Sequence, residues 1–136
     1  MQQDSGYESQ ASRVLPAIFD GVTFVIGSEA TNVINVGLTL TRGGVTLAES
    51  GVFFAYISDA SSGLGKSGAT PSAGVAVGSN GFIVDDGPVV DRSWVLQTTV
   101  AGLIDLDFGE ASVDTWHLVV VLPSGKIVVS NAITFA

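Results

Sequence analysis

An all-β domain closed as a two-sheet sandwich is the fold this sequence predicts, and three observations predict it. Apolar and polar residues alternate over short runs, the period of two that turns one face of a strand toward a core. No window sustains the three-to-four spacing of an amphipathic helix. Gly, Pro, Asn and Asp divide the runs, about seven to nine of them, at the intervals that sandwiches use.

The first residues, Met1 to Ser12, are rich in Gln, Ser, Asp and Glu and hold too little apolar area to offset the entropy of ordering themselves. Val14, Leu15, Pro16, Ile18 and Phe19 then form a short apolar hook. The division expected is an extended N-terminal arm over residues 1–21 and a sandwich domain over 22–136. The hook can pack on its own domain or on a neighbour, and is the expected partner-binding part of an arm that orders on assembly.

Val22 to Ile26 alternates weakly and stops at Gly27. Ile34, Val36, Leu38 and Leu40 alternate with Asn35, Gly37, Thr39 and Thr41 as a half-buried strand, and Arg42-Gly43-Gly44 makes a turn. Val52 to Ser58, with Phe53, Phe54 and Tyr56, is the next strand. From Asp59 to Gly74 the composition shifts to Ser, Gly and Ala, a long irregular loop of the kind that either carries function or stays mobile. The pair Asn80-Gly81 predicts a tight hairpin between Gly74–Val77 and Phe82–Val84. Trp94, Leu96 and Thr98 mark a further strand, and Ile104, Leu106 and Phe108 another, with Asp105 and Asp107 on its opposite face.

Two long apolar strands end the chain. Trp116, Leu118, Val120 and Leu122 lead into the turn Pro123-Ser124-Gly125, and Ile127, Val129, Ile133 and Phe135 follow. The remaining positions Val119, Val121 and Val128 are apolar too, so this hairpin asks for cover on both faces, and these three residues are the expected oligomer interface, most simply of a trimer.

Composition narrows the function. One domain of 136 residues can bury a real core without a metal or disulfide staple, and its Cys count of zero excludes thiolate chemistry and cysteine metal clusters. Charged residues make up 13%, about half the usual share, which suits either a face occupied by neighbours or a plain Ser/Thr/Asn surface. A net charge of -8 with five Lys plus Arg argues against nucleic-acid and membrane-surface partners. No run approaches the roughly twenty apolar residues of a membrane span, and no secretory leader is visible, so folding in the cytoplasm is expected.

The chemical motifs are each outweighed by a plainer reading. Ala60-Ser61-Ser62-Gly63-Leu64-Gly65-Lys66-Ser67 matches a relaxed phosphate loop, but Gly68 and Pro71 follow where that loop must open a helix. His117, the single histidine, sits in an apolar strand without a nucleophile elbow. Asp105, Asp107, Glu110 and Asp114 could supply calcium oxygens or a glycosidase pair, yet no loop of recognised spacing or aromatic cleft accompanies them. No catalytic residue, cofactor or metal is therefore expected, and the chain reads as a non-enzyme.

Two resemblances add to this. Asp114 and Trp116, entering a core strand after the crossover Gly109 to Val113, resemble the corner of immunoglobulin-like sandwiches, with Trp in place of the usual Tyr and no cysteine pair. The Cys-free acidic β domain, the arm, Thr31-Asn32-Val33-Ile34-Asn35-Val36 and the segment Trp116 to Ala136 resemble small structural proteins of tailed bacteriophages, nearest the immunoglobulin-like head-decoration or cement proteins. That resemblance implies a virion protein made in the host cytoplasm. It would bind the major capsid protein on the capsid exterior as a homo-oligomer and stabilise the shell. The alternatives are a tail-tube or fibre component, or a carbohydrate- or surface-binding module that stacks sugars on Trp94, Tyr56 or Phe82.

Overall fold

The computed structural model describes residues 18–136, and among them every regular element is a strand. In chain order these are β1 (Gly21–Ile26), β2 (Val33–Arg42), β3 (Val45–Thr46), β4 (Val52–Ser58), β5 (Gly74–Val77), β6 (Phe82–Asp86), β7 (Ser93–Gln97), β8 (Leu103–Gly109), β9 (Asp114–Val121), β10 (Ile127–Val129) and β11 (Ile133–Phe135). They form two sheets in which every pairing is antiparallel. The first runs β1-β2-β8-β5 with β3 against β2; the second runs β10-β9-β4-β7-β6 with β11 against β9.

Alternation builds the core between them. Ile34, Val36, Leu38 and Leu40 of β2 and Ile104, Leu106 and Phe108 of β8 are buried from one side, and Phe53, Ala55, Ile57, Trp94, Leu96, Trp116, Leu118 and Val120 from the other. Edge-to-face aromatic pairs fasten the layers: Trp94 meets Phe108 at 6.1 Å, and Phe19 meets Phe53 at 5.6 Å. Such pairs add about 0.5–1.5 kcal/mol beyond the area they bury.

The orders β1-β2-β8-β5 and β10-β9-β4 are the A-B-E-D and G-F-C orders of an immunoglobulin sandwich. The route between them differs from that family. After β4 the chain visits β5 in the first sheet and returns to the second, where β7 pairs with β4 and β6 lies outside β7 at the edge. The expected hairpin at Asn80-Gly81 is therefore corrected: β5 and β6 lie in different sheets, and the turn residues serve a crossing. Gly81, at φ +87°, fits where a Cβ would stand 2.8 Å from the Gln97 carbonyl. The Asp105 carboxylate fastens the crossing by accepting the backbone N–H groups of Ser79 (3.0 Å) and Asn80 (2.7 Å).

The corner reading is also revised at its side chain. Trp116 is fully buried, and its indole N–H donates to Ser67 Oγ at 3.0 Å, from the loop after β4 rather than from the corner itself.

The domain starts earlier than expected. Phe19 is 2% exposed and belongs to the core, Asp20 N donates to the Thr41 carbonyl, and the Asp20 carboxylate accepts the Gly43 N–H. As a buried residue Phe19 offers a partner no surface, which corrects its assignment to the arm. Ile18 is exposed, and Val14, Leu15 and Pro16 lie outside the described residues.

Both edges of the second sheet are irregular. Between β10 and β11 the register against β9 shifts by one residue, from Val129↔Val119 to Ile133↔Trp116, and Ser130 fills the gap. Its hydroxyl accepts the Leu118 N–H at 2.9 Å and donates to the Asn131 carbonyl at 2.8 Å. On the opposite edge, β6 carries a bulge between Ile83 and Asp85.

Candidate interaction surface

The two outer faces of the sandwich differ in chemistry: the first centres on a polar cluster but also exposes Val25 (71%) and Val33 (38%), and the second carries a continuous apolar row. On the first sheet, Asn35 of β2 stands beside Asp105 and Asp107 of β8 and donates from Nδ2 to both carboxylates, at 2.8 and 2.7 Å. Thr23 and Thr39, a cross-strand pair, carry the same face onward. On the second sheet the outward positions are Val52, Phe54 and Tyr56 of β4, Val95 of β7, Val119 and Val121 of β9, and Ile127 and Val129 of β10. Phe54 is 38% exposed, Val52 55% and Ile127 37%.

Register decides which of the expected interface residues lie here. Cross-strand partners share a face, and Val121 pairs with Ile127, Val120 with Val128, and Val119 with Val129. Val121 is thus outward and half-buried, as part of the apolar face. Val128 shares the face of core residue Val120 and packs against the core, which corrects its place in the interface set. Counting across the turn supplies the missed signal: Leu122 N donates to the Lys126 carbonyl, so 127 falls opposite 121.

Val119 faces outward but is fully buried under the loop after β4, so it offers a neighbour no surface, which corrects its place in the interface set as well. Gly63, at φ +74°, is the point of contact: a Cβ there would stand 2.6 Å from a Val129 methyl and 3.1 Å from one of Val119. The loop is held from several sides. The Tyr56 hydroxyl donates to the Gly63 carbonyl at 2.5 Å, Ser67 N donates to the Ile57 carbonyl, and Ser67 Oγ, which receives the Trp116 N–H, donates to Asp59 Oδ1 at 2.7 Å. Lys66 Nζ sits 5.5 Å from the Phe54 ring centroid, a cation–π contact. So Gly63, Lys66 and Ser67 of the phosphate-loop-like stretch are used to pin a cover onto the sheet. No helix follows them. A shallow hollow of about 150 Å³ remains beside Phe54, Lys66, Asp85, Pro88 and Val95.

The carboxylates proposed from sequence are dispersed among structural tasks. Glu110 is 4% exposed, and its carboxylate accepts the N–H and hydroxyl of both Ser72 and Ser112. The backbone N–H of Ser112 contributes most; burial opposes it, the Ser72 bonds add to it, and the carboxyl is held down at about 2. For Asp105, burial pushes upward, but the hydrogen bonds from Asn35, Ser79 and Asn80 outweigh it and leave the carboxyl below its ordinary value. Asp114 Oδ1 accepts the Thr115 N–H. Among the described residues no group of three or more His, Asp or Glu is placed to hold a metal ion. His117 Nδ1 lies 3.1 Å from the Ser130 carbonyl, an arrangement that ties β9 to the bulge.

Of the expected sugar platforms, Trp94 is 1% exposed and faces the core, Tyr56 has its hydroxyl engaged by Gly63, and Phe82 alone is fully on the surface. A larger depression, about 310 Å³, lies on the first sheet between Val33, Gly74, Ala76 and Asp107. Asp91 at its rim spends Oδ1 on the Val75 N–H at the sheet edge. Comparison with known families, with curated proteins and with solved structures finds no match to this chain.

Proposed function

We propose that this chain is a non-enzymatic structural protein of a phage particle, a decoration or cement protein that binds the major capsid protein on the outside of the head and works as a homo-oligomer, a trimer in the simplest case. One observation carries the reading: the outer face of the second sheet holds a continuous apolar row through Val52, Phe54, Val95, Val121 and Ile127. Contiguous apolar surface of this kind marks an attachment site more than a solvated one. Modest contacts suffice when many copies bind together, because attachment is then multivalent.

The test is to purify particles from cells that make the protein and weigh its abundance against the major capsid protein. A copy number in the hundreds on heads supports decoration, whereas a handful of copies at the tail indicates a tube or fibre part. Absence from particles overturns the proposal. On particles lacking the protein, added wild type should rebind, and Ile127→Asp should rebind at least tenfold more weakly. Trp94 is buried, so the sugar-binding alternative rests on Phe82 alone; a glycan titration without saturable binding removes it.

A further inference from the structure

The outer edges of the two sheets are not equally protected. The β10–β11 edge leaves the ladder at Ser130, β6 carries its bulge, and β5 is a strand of four residues whose Val75 N–H is taken by the Asp91 carboxylate at 3.1 Å. Short strands, bulges and charges are the means by which sheets keep their edges from pairing. β1 has none of them. It runs six residues, Gly-Val-Thr-Phe-Val-Ile, without a charge, a Pro or a register shift against β2, and among the described residues no strand pairs with its other side.

Parity shows what that side offers. Gly27 N donates to the Asn35 carbonyl, which sets residues 23, 25 and 27 toward β2 and turns the N–H and C=O groups of Val22, Phe24 and Ile26 away from it. The side chains of these three lie on the inner face, where Val22 is buried and Phe24 and Ile26 pack against the core while staying partly open at the rim. Thr23 and Val25 stand exposed on the outer face.

A second copy of the same strand fits this row. Turned about a two-fold axis at Phe24, β1 meets itself antiparallel with Phe24 opposite Phe24, Val22 opposite Ile26 and Thr23 opposite Val25, and each pair among residues 22, 24 and 26 exchanges two backbone hydrogen bonds. Apolar side chains then meet apolar side chains. The flanking carboxylates are staggered, with Asp20 opposite Ser28 and Glu29 opposite Phe19, so like charges do not face each other across the contact.

We infer that two copies of this chain join through β1 in this register, making the first sheet continuous across the pair. The contact closes on itself, because it consumes both β1 edges and the opposite edge of each sheet, β5, is capped by Asp91. It does not rest on the phage reading, and it leaves the apolar face of the second sheet open in both copies.

The absence of cysteine permits a test that is specific to the register. Thr23 of one copy and Val25 of the other form a non-hydrogen-bonded pair with Cα atoms about 4.5 Å apart, inside the roughly 4.4–6.8 Å that a disulfide spans. Two copies of Val25, or two of Thr23, stand on diagonals about 7–8 Å apart and outside that range. Full-length Thr23→Cys and Val25→Cys proteins are therefore oxidised separately and as a mixture. The expected result is a disulfide-linked heterodimer in the mixture at roughly tenfold the yield of either homodimer. Equal yields, or no cross-link, overturn the inference. A link that forms only after residues 1–17 are removed overturns it too, since the edge would then be occupied within the full chain. As a second readout, amide hydrogen exchange at Val22, Phe24 and Ile26 should slow as the wild-type concentration rises, while Thr23 and Val25 stay protected throughout; exchange independent of concentration overturns the pairing. Adding Val121→Asp to both cysteine variants should leave the heterodimer yield unchanged, so a failure at this edge and a failure at the apolar face are read separately.

Discussion

The outer face of the first sheet and the outer face of the second are made by the same alternation of strands, yet one is finished with Asn35, Asp105 and Asp107 and the other with Phe54, Val121 and Ile127. On the first, Asn35, Asp105 and Asp107 satisfy one another and the crossing at Ser79 and Asn80, with Val25 left exposed beside them. On the second, the loop after β4 covers Val119, touches Ile127 at Gly63 and lays Lys66 beside Phe54, yet leaves Val52 55% and Phe54 38% exposed. The same backbone geometry thus carries a hydrogen-bonded polar cluster on one face and a continuous apolar row on the other. Alternation sets which residues point outward; only their chemistry says whether water is the intended neighbour.

Substitutions can break that contrast in graded steps. The largest effect belongs to Val119→Asp, which puts a charge under the loop in a fully buried position. Urea unfolding should report a loss on the order of 3–5 kcal/mol, the range for an uncompensated buried charge. Val121→Asp, two residues along on the same strand and half-buried, should cost about 1 kcal/mol or less in the free protein while lowering its self-association sharply in sedimentation. Equal losses at the two positions would mean that the face is uniformly covered.

Gly63→Ala tests the loop as a cover. A Cβ at φ +74° pressing on Val129 should cost about 1–3 kcal/mol and raise proteolytic cutting between Asp59 and Gly68. A smaller, pH-dependent effect comes from the polar side of the molecule. Glu110, with its carboxyl held at about 2 against an ordinary 4.5, contributes stability that is complete above about pH 4.5 and is lost as the pH falls toward 2. Asp105 acts in the same direction, below its ordinary 3.8. Glu110→Gln should therefore flatten the acid limb of a stability-versus-pH curve. An unchanged limb would place acid sensitivity elsewhere. Smallest of all, Thr39→Ser on the polar sheet should change stability by less than about 0.5 kcal/mol and leave association untouched.

The strands themselves were legible because burial on one face imposes a period of two, and β2, β4, β8 and β9 each carry it plainly. Pairings decided by distant residues were not. Asn80-Gly81 looks like a hairpin because local turn chemistry is the same whether the chain folds back or crosses over; the Asp105 carboxylate, far along the chain, selects the crossing. Phe19 reads as part of the hook because nothing within that run sets it apart; the neighbour that seats it, Phe53, lies far along the chain. Val119 and Val121 do share a face, but Val119 is sealed by a loop that period alone does not show, and Val128 was misplaced by one residue of parity across a turn. Ser67, which accepts a hydrogen bond from a buried indole N–H, sits in a stretch whose pattern suggests phosphate chemistry. Its real partner, Trp116, is visible only once the sheets are stacked.

The irregular edges of the second sheet bear on the shape any assembly can take. A straight, unpaired edge beside an apolar face invites backbone pairing with another copy, and such addition has no natural end. Here Ser130 diverts the Leu118 N–H into a side-chain bond on one edge, and the register shift between Ile83 and Asp85 distorts the other. If copies associate as proposed, contact through side chains on their broad faces is favoured over pairing at these edges, and rotation can close such a contact into a ring of fixed number. The same domain with regular edges would carry the seed of an endless filament.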